Sequence, residues 1–245
     1  MKKLYTIDYG NSNPHLGEFE ENELKSVSPL DQWLQARLLN ADNADIVFSS
    51  VGRESYWFRT IKLRSMDFSA FRKEKSFLEM PVDYAMTLGT DRLYQAYALY
   101  QQKILSGECM GVVCVDAGTF TTIDLIDKQG FRGGFIYPGT QTFLNNYIKG
   151  EALPKLKAEA KHFASTLAIP TNTDDAILES LKSFQLGIYE HMSKLFNPDF
   201  ILFTGCFGES HQTLWQSHNP GVKNAFSPHH IHTSLQYIYQ KSLRL

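Results

Sequence analysis

The sequence predicts an α/β protein with two similar halves, residues 1–110 and 111–245. Two observations carry this prediction. A short apolar strand, an Asp-x-Gly-polar turn and a β-rich return strand occur at residues 4–19 and again at residues 111–126, which indicates an internal duplication. Along the rest of the chain, segments of helical periodicity alternate with short β-rich runs, as in α/β proteins.

Composition and charge narrow the function classes. At 245 residues, 43% hydrophobic and 20% charged, the chain is typical of a globular protein with enough apolar side chains for a sizeable core. A net charge of -2 argues against a nucleic-acid partner. No apolar run approaches the roughly 18 residues of a membrane span, and the N-terminus lacks the features of a signal peptide. Cys109, Cys114 and Cys206 are scattered, without the spacing of a zinc site or a disulfide framework, so we expect a cytoplasmic protein that binds neither nucleic acid nor membrane.

The first half opens with a hairpin. Residues 4–7 form a strand that ends in a turn at residues 8–14, and residues 16–19 return as the second strand. The turn offers backbone N–H groups and small hydroxyls, which can hold phosphate, although most turns of this composition only reverse the chain. The elements that follow are a helix, two strands and an irregular stretch, predicted at residues 29–40, 45–51, 58–63 and 64–83 in that order.

The segment Gly89-Thr90-Asp91-Arg92 is the first candidate for chemistry. It leads into a helix whose apolar face begins at Leu93 and continues with i, i+3, i+4 spacing. Thr90 or Asp91 is expected at or beside the helix N-cap, where the helix dipole favours an ionised carboxylate. An ionised, positioned Asp next to an Arg suits a general base beside an anion-binding side chain. The simpler alternative is a capped helix start without chemistry.

The second half repeats the hairpin. A buried strand at residues 111–115 runs into the turn Asp-Ala-Gly-Thr at residues 116–119, and residues 121–126 return. Two such acidic tips facing across a cleft could hold a polyphosphate, with their carboxylates organising a cation or water. A Gly pair and a Pro-Gly turn within residues 131–139 precede a helix predicted at residues 140–149. This segment is either a plain strand and turn or part of the substrate-binding surface.

The C-terminal part combines two helices with one strand. Thr171 and Asp174 have capping-box spacing at the start of a long amphipathic helix, and a buried strand follows at residues 200–203. The small-residue turn at residues 204–208 could accept a nucleoside, and a last helix is expected from Thr233 onward. A histidine cluster before that helix is expected to be a polar surface turn rather than a metal site, because no acids or cysteines lie at ligand spacing; its members are His229, His230 and His232.

Taken in order, these motifs resemble the type III pantothenate kinase family, and the resemblance covers nearly the whole chain. The motifs are Asp8-x-Gly-Asn-Ser, Gly89-Thr-Asp-Arg, Asp116-x-Gly-Thr, Gly133-Gly-Phe-Ile-Tyr-Pro-Gly, Asn172-Thr and Thr204-Gly. None of them is specific alone, but the ordered set is. The family belongs to the superfamily of acetate and sugar kinases, heat-shock 70 proteins and actin. The resemblance therefore implies two similar ribonuclease H-like, actin-like domains around a central cleft, each a mixed sheet with helices.

The resemblance also implies an activity, which is ATP-dependent phosphorylation of pantothenate to 4'-phosphopantothenate, the first step of coenzyme A biosynthesis. The enzyme would be a homodimer with its active site at the subunit interface. It would use ATP with Mg²⁺ and a monovalent cation, K⁺ or NH₄⁺.

The resemblance also implies a functional role for each residue that matches one of the family's motifs. The loop that would hold the ATP phosphates comprises Asp8, Tyr9, Gly10, Asn11, Ser12, Asn13, Pro14 and His15. The residues that would contact pantothenate are Gly89, Thr90, Asp91, Arg92, Tyr84 and, from the partner subunit, Thr173. Asp91 would accept the proton of the substrate. Thr119 and Gly205 would contact ATP, and Asp116 would bind the monovalent cation.

The sequence departs from the family pattern at a few positions. Cys206 stands where the family usually has the second of two glycines, and Ser12 replaces a common Thr. Tyr84 is the nearest candidate for a tyrosine that covers the substrate. Two alternatives stay open: a non-catalytic accessory or regulatory member of the family, and another member of the superfamily, such as a sugar or acetate kinase or a polyphosphate phosphatase.

Overall fold

The computed structural model describes residues 3–10, 12–41, 43–51, 55–150, 152–157, 159 and 169–244. Helices and strands occur throughout, so the protein is of the α/β class. The first elements along the chain are β1 (Lys3–Tyr9), β2 (His15–Glu20), β3 (Glu23–Pro29), α1 (Gln32–Leu39), β4 (Ala44–Ser50), α2 (Tyr56–Lys62), β5 (Arg72–Lys73), β6 (Ser76–Phe77), β7 (Met80–Pro81) and α3 (Thr90–Leu99). They are followed by β8 (Gly111–Ala117), β9 (Phe120–Asp127), β10 (Gly130–Pro138), α4 (Thr140–Asn145), α5 (Thr173–Leu195), β11 (Phe200–Thr204), α6 (Gly208–His218), β12 (Lys223–Phe226) and α7 (His230–Ser242).

The chain divides into two compact units. The first comprises residues 1–102, 129–132 and 229–245, and the second comprises residues 103–128 and 133–228. The sequence predicts a single boundary at residue 110, whereas the start of β10 and the whole of α7 belong to the first unit.

A four-stranded sheet in the order β3-β2-β1-β4 forms the centre of the first unit. β1 pairs antiparallel with β2 and parallel with β4. Because side chains alternate along a strand, Tyr5 and Ile7 lie on one face, where they share a core with Leu34 of α1 and Phe58 of α2. On the other face α7 contacts β1 and β4 and packs against α3. Helices therefore cover both faces of this sheet.

The strand predicted at residues 58–63 is wrong, because residues 58–62 belong to helix α2. Ser55 caps α2, and its hydroxyl accepts a hydrogen bond from the Phe58 N–H at 3.2 Å. Phe58 and Ile61 are both fully buried, and their separation of three residues is helical spacing. The aromatic and β-branched composition of this stretch favours a strand, but the cap and the buried face outweigh it. The structure describes every residue of the stretch 64–83, which the sequence predicts to be irregular. The regular elements of this stretch are a 3₁₀ turn and the two-residue strands β5, β6 and β7.

A five-stranded sheet in the order β10-β9-β8-β11-β12 forms the centre of the second unit. β8 pairs antiparallel with β9 and parallel with β11, which are the relations that β1 has with β2 and β4. The shared topology confirms the internal duplication. Val115 and Phe203 of this sheet pack against Tyr189 and Met192 of α5 and Trp215 of α6.

Two predicted helix starts are shifted. The cap of α5 is Asn172, whose side chain accepts a hydrogen bond from the Asp175 N–H at 2.9 Å, so the predicted capping box is one residue out of register. α7 begins at His230, earlier than expected. The helix predicted at residues 140–149 is α-helical over α4 and continues as a 3₁₀ helix at Asn146–Lys149. In the described part of the chain, none of the helices combines the length and the apolarity that crossing a bilayer requires.

Candidate active site

The first predicted element of the site is the loop after β1. Asp8 stands near the end of β1, opposite His15 of β2 and Ser49 of β4 in the strand register. The Tyr9 ring stacks on Phe58 with 4.2 Å between the ring centroids, so its side chain belongs to the core. By strand alternation, Asp8 points to the other face of the sheet.

Residues 12 and 13 of this loop are exposed to solvent, and the loop is hydrogen-bonded to the rest of the unit at Pro14. Ser12 and Asn13 are exposed, and a Cβ at Gly10 would stand 3.9 Å from the Asp8 carboxylate. The Pro14 carbonyl accepts the Leu30 N–H at 2.8 Å, which ties the loop to the segment before α1. Asn11, predicted to bind phosphate, lies outside the described residues.

The start of α3 is bonded to the end of β4. The Thr90 hydroxyl accepts the Ser50 N–H at 3.0 Å and lies 3.1 Å from the Ser49 hydroxyl. Since Ser49 is opposite Asp8 in the sheet, the helix start and the end of β1 are neighbours in the first unit. The cap residue is Gly89, and Thr90 and Asp91 follow it in the first turn.

The Asp91 carboxylate folds back over the helix start. It accepts the Arg92 N–H at 2.8 Å, and a Cβ at Gly89 would lie only 2.5 Å from its Oδ1. Glycine at 89 therefore leaves the space that this carboxylate occupies. Burial raises the pKa of Asp91, opposed by the hydrogen bond from the Arg92 N–H and by the guanidinium charge. The net shift is upward, opposite to the shift that the helix dipole alone would produce. A carboxylate with a raised pKa is the stronger proton acceptor once it is ionised.

The Arg92 side chain is buried between aromatic rings. It is 5% exposed, and its guanidinium carbon lies 5.4 Å from the ring centroid of Tyr84 and 5.8 Å from that of Phe131. The two rings meet edge to face at 5.8 Å. Such contacts hold a planar guanidinium in one orientation. The structure therefore brings together Tyr84 and Arg92, two of the residues assigned to pantothenate.

Phe131 also contacts Arg92, and it begins the segment whose role the sequence leaves open. It is fully buried and comes from the short segment of β10 that belongs to the first unit. Its carbonyl accepts the Asp83 N–H at 2.9 Å. Gly130 before it has φ +96°, and a Cβ there would meet the Pro81 carbonyl oxygen at 2.0 Å, so only glycine permits this approach. The Gly-Phe pair at the start of the Gly-rich motif was the signal available in the sequence.

In the second unit, the tip between β8 and β9 carries Asp116 and Thr119. The Thr119 side chain is exposed, while its carbonyl accepts the Gly139 N–H at 3.0 Å and the Thr142 hydroxyl at 2.6 Å. A Cβ at Gly139 would lie 2.0 Å from the Gly118 carbonyl oxygen. The Pro-Gly turn thus packs directly on the tip.

The turn after β11 lies beside Asp116. Gly205 has φ +82°, and a Cβ there would stand 2.6 Å from the Asp116 carboxylate. The Ala117 carbonyl accepts the Phe207 N–H at 3.0 Å and the Cys206 thiol at 3.5 Å. Burial and the charge of Asp116 raise the pKa of Cys206, so the thiol is protonated at neutral pH. The structure therefore joins two of the predicted nucleotide-side residues, Asp116 and Gly205.

The predicted surface position of the histidine cluster is wrong for two of its members. His230 and His232 are 6% and 2% exposed, and His232 Nδ1 lies 2.7 Å from the Thr6 hydroxyl, because α7 packs on β1. Partial burial and the nearby His229 lower the pKa of His15. Among the residues that the structure describes, no group of three or more His, Cys, Asp or Glu side chains could hold a metal ion. Thr173, the remaining predicted residue, is exposed at the start of α5.

A family model described as type III pantothenate kinase matches residues 4–194. The chain belongs to the type III pantothenate kinase family. It is similar to the type III pantothenate kinase of Desulfovibrio desulfuricans, with 28% identity over 137 residues that cover 54% of this chain and 51% of the relative. With that of Dehalococcoides mccartyi it shares 26% identity over 213 residues, 78% of each chain. The chain spans about half the length of the first of these relatives.

Solved structures of other proteins have the same fold. A Campylobacter jejuni protein described as a Baf family transcriptional activator has a TM-score of 0.65 at 22% identity, covering 99% of this chain and 100% of that one. A component of (R)-2-hydroxyglutaryl-CoA dehydratase from Acidaminococcus fermentans has a TM-score of 0.56 at 12% identity, with 99% and 100% covered. A Listeria monocytogenes protein described as an N-acetylmannosamine kinase has a TM-score of 0.54 at 13% identity, with 98% and 99% covered. At these identities the likeness shows the fold alone, and it agrees with the predicted α/β class.

The family match covers most of the site described above. The predicted site residues lie inside the matched segment, with the exception of Gly205.

Proposed function

We propose that this protein transfers the γ-phosphoryl group of ATP to the primary hydroxyl of pantothenate, forming 4'-phosphopantothenate in the first step of coenzyme A biosynthesis. The observation that carries the proposal is the placement of Asp91 in a chain of this family. Its carboxylate lies in the first turn of α3, has a raised pKa, and adjoins an arginine held between two rings.

Asp91 is assigned as the general base. The hydroxyl of pantothenate has a high pKa and is a poor nucleophile, so a positioned acceptor for its proton speeds attack on phosphorus. Such a base contributes roughly 10²–10⁴-fold. The raised pKa supports this role, because proton transfer to a carboxylate becomes more favourable as its pKa rises. The remaining acceleration comes from positioning and from neutralising charge on the phosphoryl group.

Arg92 is assigned to substrate binding. Its buried guanidinium, fixed over Tyr84 and Phe131, can bind a carboxylate or carbonyl group without first losing much side-chain entropy. Gly89 and Thr90 would complete this part of the site, and Thr173 of a partner subunit would also reach pantothenate. The proposal therefore includes a homodimer.

The nucleotide contacts are assigned separately in each unit. In the first unit, residues 8–15 would bind phosphate groups through backbone N–H groups and the Ser12 hydroxyl. In the second unit, Thr119 and the turn at Gly205 would contact the nucleotide. A protonated thiol at Cys206 leaves no added negative charge near the phosphates.

Asp116 fits the chemistry of a monovalent cation, because carboxylate oxygens are the donors that hard cations prefer. The Ala117 carbonyl beside it already accepts two hydrogen bonds. Such a cation, K⁺ or NH₄⁺, would be completed by water and phosphate oxygens and would offset phosphate charge. Mg²⁺ would be held mainly by phosphates and water.

The test is a coupled assay of ADP formation with and without pantothenate, run in potassium and then in sodium. We expect pantothenate-dependent ADP release, and a fall in turnover of about 100-fold or more in Asp91→Asn. Asp67→Asn is the matched control, because Asp67 is also partly buried and accepts a backbone N–H at 2.8 Å. Turnover of Asp91→Asn within about twofold of wild type would remove Asp91 from the base role. Phosphate release without an acceptor would indicate a phosphatase, and absence of nucleotide binding would indicate an accessory role.

A further inference from the structure

A buried polar network in the second unit joins three helices. Its members are Thr140 at the start of α4, Gln185 and Tyr189 of α5, and His211 of α6, each at most 1% exposed. They lie beside a core of apolar and aromatic side chains. Because each group must be desolvated to enter the core, such a network is stable only when its members bond to one another.

The His211 imidazole has hydrogen-bond partners at both of its ring nitrogens. Gln185 Nε2 donates to Thr140 Oγ1 at 3.2 Å and lies 3.2 Å from His211 Nε2. The Thr140 hydroxyl lies 3.3 Å from the same ring nitrogen. Nε2 therefore faces Gln185 and Thr140, while Nδ1 is hydrogen-bonded to the Tyr189 hydroxyl. A neutral imidazole therefore bonds to α4 and α5 at once.

One end of this network supports the tip that carries Thr119. Thr140 directly follows Gly139, whose N–H donates to the Thr119 carbonyl, and Thr142 of the same turn donates to that carbonyl as well. A rotation of α4 about its axis would therefore move the tip.

The other end supports the turn that contains Gly205. His211 lies in the first turn of α6, and its N–H donates to the Phe207 carbonyl at 3.0 Å. Phe207 in turn donates to Ala117, next to Asp116. The His211 side chain and backbone thus connect the start of α4 with the end of this turn.

We propose that His211 is a positioning residue that holds the Thr119 tip and the Gly205 turn in the mutual arrangement that nucleotide binding requires. The inference deepens the proposed function, because it rests on these two elements contacting ATP. A leucine at 211 would fill much of the volume but would remove the hydrogen bonds that join α6 to Thr140 and Tyr189, and apolar contacts do not fix a rotation as hydrogen bonds do.

The experiment measures the affinity for a fluorescent N-methylanthraniloyl derivative of ATP, with Mg²⁺, in His211→Leu and His211→Gln. We expect the leucine variant to bind about tenfold or more weakly, since tenfold corresponds to one lost net hydrogen bond. Glutamine keeps an acceptor for Thr140 and should stay within about threefold of wild type. Leu214→Ala is the control: it is buried on the same helix and should lower thermal stability without changing affinity.

Should His211→Leu not fold, as judged by circular dichroism, His211→Asn replaces it. Asparagine can keep the bond to Tyr189 but cannot reach Thr140, so the same weakening is expected. Unchanged affinity in the folded variant, or an equal loss in Leu214→Ala, would overturn the proposal alone. A wild-type protein that binds nucleotide without pantothenate-dependent ADP release would defeat the proposed function and leave the role of His211 standing. A wild-type protein that binds no nucleotide would defeat both.

Discussion

Acidification should destabilise the first unit through two histidines that are buried without charge. Burial lowers the pKa of His230 to about 4 and that of His232 to about 3, from an ordinary value of 6.5. His232 has little room for water, because its Nδ1 is bonded to Thr6 and a Cβ at Gly17 would already lie 2.7 Å from it. The folded pKa is below the unfolded one, so the stability that these groups contribute is present above pH 6.5 and is lost as the pH falls toward the folded pKa.

The size of the effect follows from the linkage relation. Between about pH 7.5 and about pH 5, an unfolded histidine gains nearly a full proton while a group with a pKa near 3 or 4 gains almost none. Each histidine then costs about 2 kcal/mol of unfolding free energy, or about 4 kcal/mol for the pair. Asp91 acts in the opposite direction, because burial raises its pKa and protonation then favours the folded state. The measured loss of unfolding free energy should therefore be smaller than the roughly 4 kcal/mol expected from the two histidines alone.

Urea unfolding followed by circular dichroism at the two pH values measures this loss. In His232→Asn, where the amide can still bond to Thr6, the difference in unfolding free energy between the two pH values should shrink by about 2 kcal/mol. His191→Asn is the control, because His191 is exposed and belongs to the second unit, so the change should leave the difference unaltered. An unchanged pH difference in His232→Asn would show that His232 is solvated or charged in the folded protein, and the reasoning would be refuted.

Two further predictions concern the start of α3. Gly89→Ala should lower turnover by about tenfold or more, because the new Cβ displaces the Asp91 carboxylate. The unfolding free energy should change by only about 1 kcal/mol, because the φ angle of -60° at this position is one that alanine adopts readily. Gly187→Ala, with no atom near its added Cβ, should instead stabilise α5 by up to about 1 kcal/mol with normal kinetics; equal turnover in the two alanine variants would contradict the account of Gly89. Arg92→Lys should raise KM for pantothenate about tenfold with little change in KM for ATP, because an ammonium lacks the planar group that stacks between the rings. Arg244→Lys is the control, and it should change neither KM because Arg244 is exposed. A matching rise in both KM values in Arg92→Lys would argue against a pantothenate-specific role.

The features predicted well from the sequence are those that short segments determine. Both hairpins were predicted because each has a β-rich run, an Asp-x-Gly turn and a return run within about twenty residues. Residues 58–63 were predicted wrongly because their composition favours a strand, whereas the Ser55 cap and the packing of Phe58 on Tyr9 favour a helix. The strand propensity of the residues has less influence on the local structure than a helix cap and a buried helix face acting together.

The features that were missed depend on contacts between distant segments. Phe131 packs on Tyr84 and Arg92 because β10 begins in the first unit, and the Gly-Phe pair at residues 130–131 does not indicate which distant side chains it meets. The burial of His232 likewise follows from α7 packing on β1, more than 200 residues earlier in the chain. Neither contact could be inferred without the topology of the chain.

The duplicated topology explains why the candidate residues come together within each unit. In both sheets a central strand pairs in parallel with the strand that follows later in the chain, and parallel strands end at the same edge. In the first unit this places Asp8 opposite Ser49, whose neighbour on α3 is Thr90. In the second it places Asp116 opposite Thr204, directly before the turn whose glycine lies against the carboxylate. In each half, the strand pairing alone therefore places a carboxylate beside a segment of small residues. The Gly-Thr-Asp-Arg segment, with its candidate general base, occurs in the first half.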